Sequence, residues 1–410
     1  MLVAARTGAL VQRFGQPAVL GELLAGIVLG NLGLVGLTVA DMVAADPVIA
    51  FLAELGVVVL LFQIGLESNV QQMLAVGPRA TAVAVVGVVV PFVLGALLVG
   101  PWLLPGMSIN AYLFVGATLT ATSVGITGRV FRDLGQLHRP EARIVLGAAV
   151  IDDVLGLVIL AVVSAIVTTG SVAIGVVAKI VLEALLFLVG AIVIGRRIAP
   201  TISAVFGRIH AGAGMKLALA LSTCMVFAWI AAQLGLAPIV GAFAAGLVLD
   251  DVVFKDYDQS DLERDVRSAL TGADGEAHLR AEAVLDAHRS RHLEDLVAPV
   301  GHFLVPFFFV VTGMQVKLDL LADVHALAVA LALTVAAVAG KVVAGVVAGP
   351  VDRWLVGWGM VPRGEVGLIF AATGMALGVV TPGVFSVIVI TVLATTLITP
   401  PLLAQLLRRR

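Results

Sequence analysis

The chain has 410 residues, 60% of them hydrophobic and 13% charged, and its mean hydropathy is +1.11. No water-soluble domain carries such a composition, so soluble enzymes and nucleic-acid-binding modules are excluded and an integral membrane protein remains. The net charge of −2 conceals an uneven distribution: residues 250–296 hold 13 of the 27 acidic but only 6 of the 25 basic residues, and the remainder is net positive, 19 against 14. Apolar stretches of roughly 20 residues, long enough to span a bilayer as helices, recur from end to end. The ten-residue alternation of a membrane barrel is absent. The expected fold is therefore all-α with about 12 transmembrane helices, and the 44 glycines suit their close packing. Cys224, the single cysteine, offers no disulfide framework.

The first 14 residues read as the tail of a further span, a thirteenth, without the regions of a signal peptide. Spans follow at 18–39, 47–69, 79–103, 109–132, 142–168, 171–195, 214–235, 236–250, 298–316, 322–350, 360–380 and 382–407. Joints carrying Arg79, Arg129 to Arg143, Arg196 to Lys216, the 250–296 segment, Arg353 and Arg408 to Arg410 alternate with joints almost free of Lys and Arg. The positive-inside rule puts the basic joints and the C-terminus in the cytoplasm, with Lys317, beside Asp319 and Asp323, as the exception. The polar segment reads as two short surface helices around Gly272 and Gly275. His288 and His292 have an i, i+4 spacing that a metal can use, and His278 lies nearby, but no third ligand is evident, so a solvated face is the reading taken.

Chemistry is concentrated where lipid should reject it. In GAAVIDDVLGLVILAVV, residues 147–163, Asp152 and Asp153 stand at the centre of a span. Each costs about 3 kcal/mol at a helix centre on the insertion scale, and nothing structural offsets that. Neighbours in a helix point about 100° apart, so one carboxylate can face a water-filled cavity while the other turns to an adjacent helix. Lys341 is the only Asp, Glu, Lys or Arg between Asp323 and Asp352. At that depth an ammonium snorkels or pairs, and its central position favours a pair with one of the aspartates. Its small neighbours Ala337, Gly340, Ala344 and Gly345 would let another helix approach.

Two spans look interrupted. GATLTATSVGITGRV, residues 116–130, crowds Thr118, Thr120, Thr122, Ser123 and Thr127 among Gly116, Gly125 and Gly128, poor material for an unbroken helix. Interrupted helices turn dipole ends and free carbonyls toward ion sites in transporters, although a plain helix with hydroxyls bonded to its own carbonyls is the alternative. A second break is expected at Pro362, Arg363, Gly364 and Glu365, where Arg363 and Glu365 either serve the site or pair with each other. The order span, broken span, span thus occurs twice, at 79–168 and 322–407, and the charge rule gives the two copies opposite directions, an inverted repeat with two broken helices. Lys179 and Glu183, at i, i+4, most simply neutralise each other. Glu22 and Glu67, near span ends, receive no chemistry.

RFGQPAVLGELLAGIVLG, FQIGLE, TATSVGIT, AAVIDDVLGLVIL, FFFVVTGM, AGKVVAG and PRGEVGLI occur in this order along the chain. Together they resemble the monovalent cation:proton antiporter superfamily, in particular its bacterial sodium/proton exchangers with paired aspartates. The resemblance implies a homodimer in the inner membrane. Residues 1–78 begin its dimerisation domain; 79–168 form the first core repeat, with the break near 116–128 and the aspartate helix at 142–168; 171–250 are linking and dimerisation helices. Then 251–296 is a polar cytoplasmic insert, 298–321 precedes the second repeat, and 322–410 is that repeat. Asp153 would be the main Na+ ligand, Asp152 the partner of Lys341, and Thr122 and Ser123 would line the cavity. It also implies electrogenic exchange of Na+ or Li+ for H+ by alternating access, serving pH homeostasis, with no cofactor and no catalytic residue. A K+/H+ antiporter of the same fold is the nearest rival. An intramembrane aspartyl protease is the rival enzyme, but it needs two carboxylates facing each other around a shared water, which adjacent residues cannot readily provide.

Overall fold

The computed structural model describes residues 2–14, 16–35, 42–43, 46–68, 70–169, 174–209, 212–249, 292–315 and 324–408. The expected surface helices of the polar insert, His278 and His288 therefore lie outside the described residues, as do Lys317, Asp319 and the His292 side chain. The described chain is helical: α1 (Leu2–Arg13), α2 (Ala18–Gly30), α3 (Pro47–Leu66), α4 (Val70–Val93), α5 (Ile109–Thr118), α6 (Val124–Asp133), α7 (Pro140–Thr169), α8 (Ile174–Ile209), α9 (Ala213–Gln233), α10 (Pro238–Val248), α11 (His292–Met314), α12 (Val324–Val343), α13 (Arg353–Gly359), α14 (Glu365–Ala376) and α15 (Pro382–Arg408). Eight helical stretches among the described residues are long and apolar enough to cross a membrane, and four shorter apolar helices accompany them, at Ala18–Leu34, Ile109–Thr118, Pro238–Val248 and Val366–Ala376.

Local chemistry sets the boundaries. Ser108 caps α5 by accepting from the Ala111 N–H at 3.2 Å, and Asp352 caps α13 by accepting from Trp354 and Leu355, each satisfying helix-start donors that would otherwise be unpaired. α4 continues through a π-helical stretch, Leu94–Val99, into Gly100–Leu103. α12 ends in a 3-10 turn, Ala344–Ala348, stopped by Gly349 at φ +86°. α8 runs beyond the expected end at 195 to Ile209, carrying Arg196, Arg197 and Pro200 inside it. Arginine is a good helix former, so charge ends a span without ending its helix.

Two compact units make up the chain. One comprises Val58–Asn69 and Leu185–Phe303. There Gly241 lets α10 approach the Phe227 carbonyl and Ala228 of α9 closely, and Gln63 donates to the Val297 carbonyl at 3.2 Å. The other comprises Met1–Val57, Val70–Ala184 and Leu304–Arg410. In it the same arrangement occurs twice: α4 packs on α7 with the interrupted pair α5 and α6 between them in sequence, and α12 packs on α15 with α13 and α14 between them. α4 also packs on α12, and α5 on α14. A cluster of buried apolar side chains, including Phe114, Leu119, Val163, Leu333 and Ile388, fills the space among α5, α7, α12 and α15.

Candidate functional site

The first interruption covers residues 119–123, between α5 and α6, and the second covers 360–364, between α13 and α14. A break in a buried helix exposes amides and carbonyls that must find partners. Here the breaks supply one another. The Ser123 N–H donates to the Pro362 carbonyl at 2.7 Å, Thr122 Oγ1 donates to the Met360 carbonyl at 3.2 Å, and Thr127 Oγ1 to the Gly359 carbonyl at 2.7 Å. Thr118 and Thr120 instead bond to carbonyls of their own helix, Val115 and Ala117. The hydroxyl-rich segment therefore divides its work: its first threonines close α5 and its later ones reach the other repeat.

Arg363 braces the same junction. Its guanidinium is fully buried and donates to the carbonyls of Val361 at 3.1 Å, Leu119 at 2.8 Å and Ala337 at 3.2 Å. One cation thus ties the end of α5, the second break and α12 together. Its own carbonyl accepts from Thr396 Oγ1 of α15. Of the two roles open to Arg363, these contacts give it carbonyls; the Glu365 side chain lies outside the described residues. Gly364 lies close against Ser123: a methyl group there would stand 2.9 Å from Ser123 Oγ and 3.1 Å from its Cβ.

Against this junction sits the aspartate helix. Lys341 Nζ donates to Asp152 Oδ2 at 3.0 Å, with both side chains essentially inaccessible. Asp153, one residue on, is 6% exposed. The neighbours of Lys341 do what small residues allow: Gly340 lies directly under Pro91 of α4, and Gly87 of α4 faces both Ala344 and the lysine side chain. Asp152, Asp153, Lys341 and Arg363 sum to zero charge when all are ionised, which is how four buried charges persist in a low-dielectric interior. Asp152 Oδ1 and Ser123 Oγ have no hydrogen-bond partner among the described residues, so acceptor capacity is left over beside the pair. Beyond Arg363 and Gly364 opens a small, mostly apolar cleft, which Leu23, Thr312, Gln315 and Thr396 also line.

One charged group near this region was given no role from sequence. Glu22 lies buried beside Arg129, whose guanidinium also pairs with Asp133. The available signal was the i, i+4 spacing of Arg129 and Asp133 on a short helix, together with a lone acid in the apolar α2.

A helical membrane protein whose two interrupted helices meet over a buried carboxylate–amine pair belongs, by fold and site, with ion-coupled secondary transporters. The family model for the transmembrane sodium/hydrogen exchanger matches residues 1–273 and 278–409. Similar proteins include the high-affinity Na+/H+ antiporter NhaS3 of Synechocystis sp., 34% identical over 96% of this chain and 85% of that one. Another is the Na+/H+-K+ antiporter GerN of Bacillus cereus, 32% identical over 97% and 91%. Among solved structures, the sodium proton antiporter MjNhaP1 of Methanocaldococcus jannaschii has the same fold, with a TM-score of 0.61 and 14% identity over 98% of this chain and 94% of that one. The chain belongs to the sodium/hydrogen exchanger family.

Proposed function

We propose that the chain is a secondary antiporter that exchanges Na+, or Li+, for H+ by alternating access, with Asp152 and Asp153 as the shared cation and proton site. The observation that carries the reading is the buried Lys341–Asp152 pair at the junction of the two breaks. Thr122 and Ser123 lend the cavity hydroxyl and carbonyl oxygens, Lys341 carries the second exchangeable proton, and Arg363 holds the breaks in register. With the four side-chain charges balanced, a bound Na+ adds an uncompensated charge in a medium where that is expensive. Releasing the Lys341 proton restores the balance. Na+ and protons thereby exclude one another; because the proton-loaded site also carries a proton on Asp153, lost before Na+ binds, two protons leave for each Na+ and one cycle moves one net charge, which about 100 mV of membrane potential drives by about 2.3 kcal/mol. The same reading places the protein in the inner membrane as a homodimer with a cytoplasmic C-terminus.

The similarity to a relative named for K+ as well as Na+ supports K+/H+ exchange as the second reading. Dye-monitored proton flux in proteoliposomes with Na+, Li+ or K+, with and without an imposed voltage, separates the two. Na+-driven flux that voltage accelerates is the expected result; flux with K+ alone would replace the first reading with the second. In Lys341→Gln, exchange should lose its voltage dependence because one proton per cycle is gone. Undiminished acceleration would refute the role given to the lysine.

A further inference from the structure

The two breaks and α12 bring oxygens and charges to Asp152 and Asp153. One turn further along α7 the surface changes character. Gly156 comes four residues after Asp152 and three after Asp153, so it lies on the same side of the helix, one turn on. Helical side chains lean back toward the N-terminus, and a residue therefore covers the turn that precedes it. At Gly156 no side chain is present to do so. The position is nevertheless buried.

Phe370 of α14 fills the space. The tip of its ring, Cζ, stands 3.4 Å from the point that a Cβ on Gly156 would occupy, and beyond α7 itself no other heavy atom of the described residues comes within 4 Å of that point. Phe370 is 1% exposed. A side chain of the second repeat thus reaches α7 beside the carboxylates, from the half-helix that leaves the break at 360–364. If packing were the only need, an aliphatic side chain at position 156 would fill the space from α7 itself. A phenyl ring presents no oxygen or nitrogen, and its edge carries the positive part of the ring quadrupole, so the tip offers a cation no ligand and holds no water for it. An ion beside the aspartates must then rely on the few oxygens of the other sides. The smaller ion approaches those oxygens more closely, and the attraction rises as the distance falls.

We propose that Phe370, seated on Gly156, is a specificity-determining residue: its ring is the apolar wall of the cation pocket and restricts it to a small, largely dehydrated monovalent cation, Na+ or Li+ in preference to K+. This selection rests on the proposed exchange at the aspartates. Shortening the wall admits a larger ion or an extra water, and thickening it from the α7 side narrows the pocket further. Neither change touches the charges of Asp152, Asp153, Lys341 and Arg363.

Dye-monitored proton flux of the full-length protein in proteoliposomes, with each cation supplied alone, gives the ratio of the KM for K+ to the KM for Na+. A merely structural role of Phe370 would move both constants together and leave the ratio as it was. In Phe370→Leu the ratio should fall by about tenfold or more, the low end of what a change in pocket volume does to discrimination. Gly156→Ala adds a methyl at an ordinary contact distance of 3.4 Å from the ring, so it should fold as the wild type does and should shift the preference from Na+ toward Li+. In the double variant the methyl takes up part of the space that the ring gives up, and the K+ to Na+ ratio should return toward its wild-type value. An unaltered ratio in Phe370→Leu overturns the proposal; if that variant does not fold, an unaltered Li+ to Na+ preference in Gly156→Ala does so. Exchange that persists in Asp153→Asn refutes the transport reading itself, whereas exchange lost there with the Phe370→Leu ratio unmoved refutes only the wall.

Discussion

Lys341 with Asp152 and Lys179 with Glu183 are lysine–carboxylate pairs inside apolar helices, and they behave as opposites. Lys341 and Asp152 come from different repeats, meet at 3.0 Å and expose 0% and 1% of their side chains; Lys179 and Glu183 share α8, stand 3.7 Å apart and expose 71% and 35%. The outward-facing pair has little protein packed around it to fix its geometry. The buried pair has surrendered its solvation, a cost that the attraction between the partners does little more than cancel. Packed apolar side chains would serve stability there at least as well. What the buried pair provides is a pair of groups whose charge state must respond to anything that enters beside them.

The sharpest way to break this contrast is to neutralise the acid that Lys341 does not hold. Asp153→Asn should reduce Na+-driven proton flux to the level of empty liposomes while leaving the protein monodisperse and thermally stable; retention of exchange would place the cation elsewhere. Next in size is Asp152→Asn, which strands a buried ammonium. It should lower stability by about 3–5 kcal/mol, and combining it with Lys341→Gln should recover most of that loss in thermal unfolding. No recovery in the double variant would mean that the two residues are not energetically coupled. Smaller again is Gly364→Ala. The added methyl would meet Ser123 Oγ at 2.9 Å and push the breaks apart, for about 1–3 kcal/mol of overpacking, with flux reduced and the KM for Na+ raised. Unaltered kinetics would show that the junction tolerates looser contact than the structure implies.

How far the sequence disclosed this arrangement depends on whether side chains or backbone carry the information. Hydropathy located the membrane helices, because a span of about 20 apolar residues has few other uses. Threonine and glycine crowding put the first break within 116–128, where residues 119–123 interrupt the helix, and Pro362 to Gly364 marked the second. The contact between the breaks was not legible. Ser123 reaches Pro362 through its backbone N–H, and an amide identical in every residue leaves no trace in a sequence. The described contacts of Arg363 are three carbonyls released by irregular backbone, partners to which sequence spacing, which suggests side chains such as Glu365, does not point. Glu22 is illegible for a related reason: the Arg129 guanidinium beside it lies 107 residues away along the chain.

The smallest expected effect tests the comparison from its other side. Lys179→Ala removes a membrane-helix cation of the same chemical type as Lys341, and on hydropathy alone the two substitutions look alike. The Lys179 pair spans one helical turn and begins five residues after the start of α8 at Ile174, so the ammonium can extend along its stem toward the membrane surface instead of depending on Glu183. Its loss should change stability less than that of Lys341 and should leave flux, KM and voltage dependence as they were. If Lys179→Ala instead altered the number of charges moved per cycle, burial would not be what selects a coupling lysine, and the assignment of that role to Lys341 would lose its physical ground.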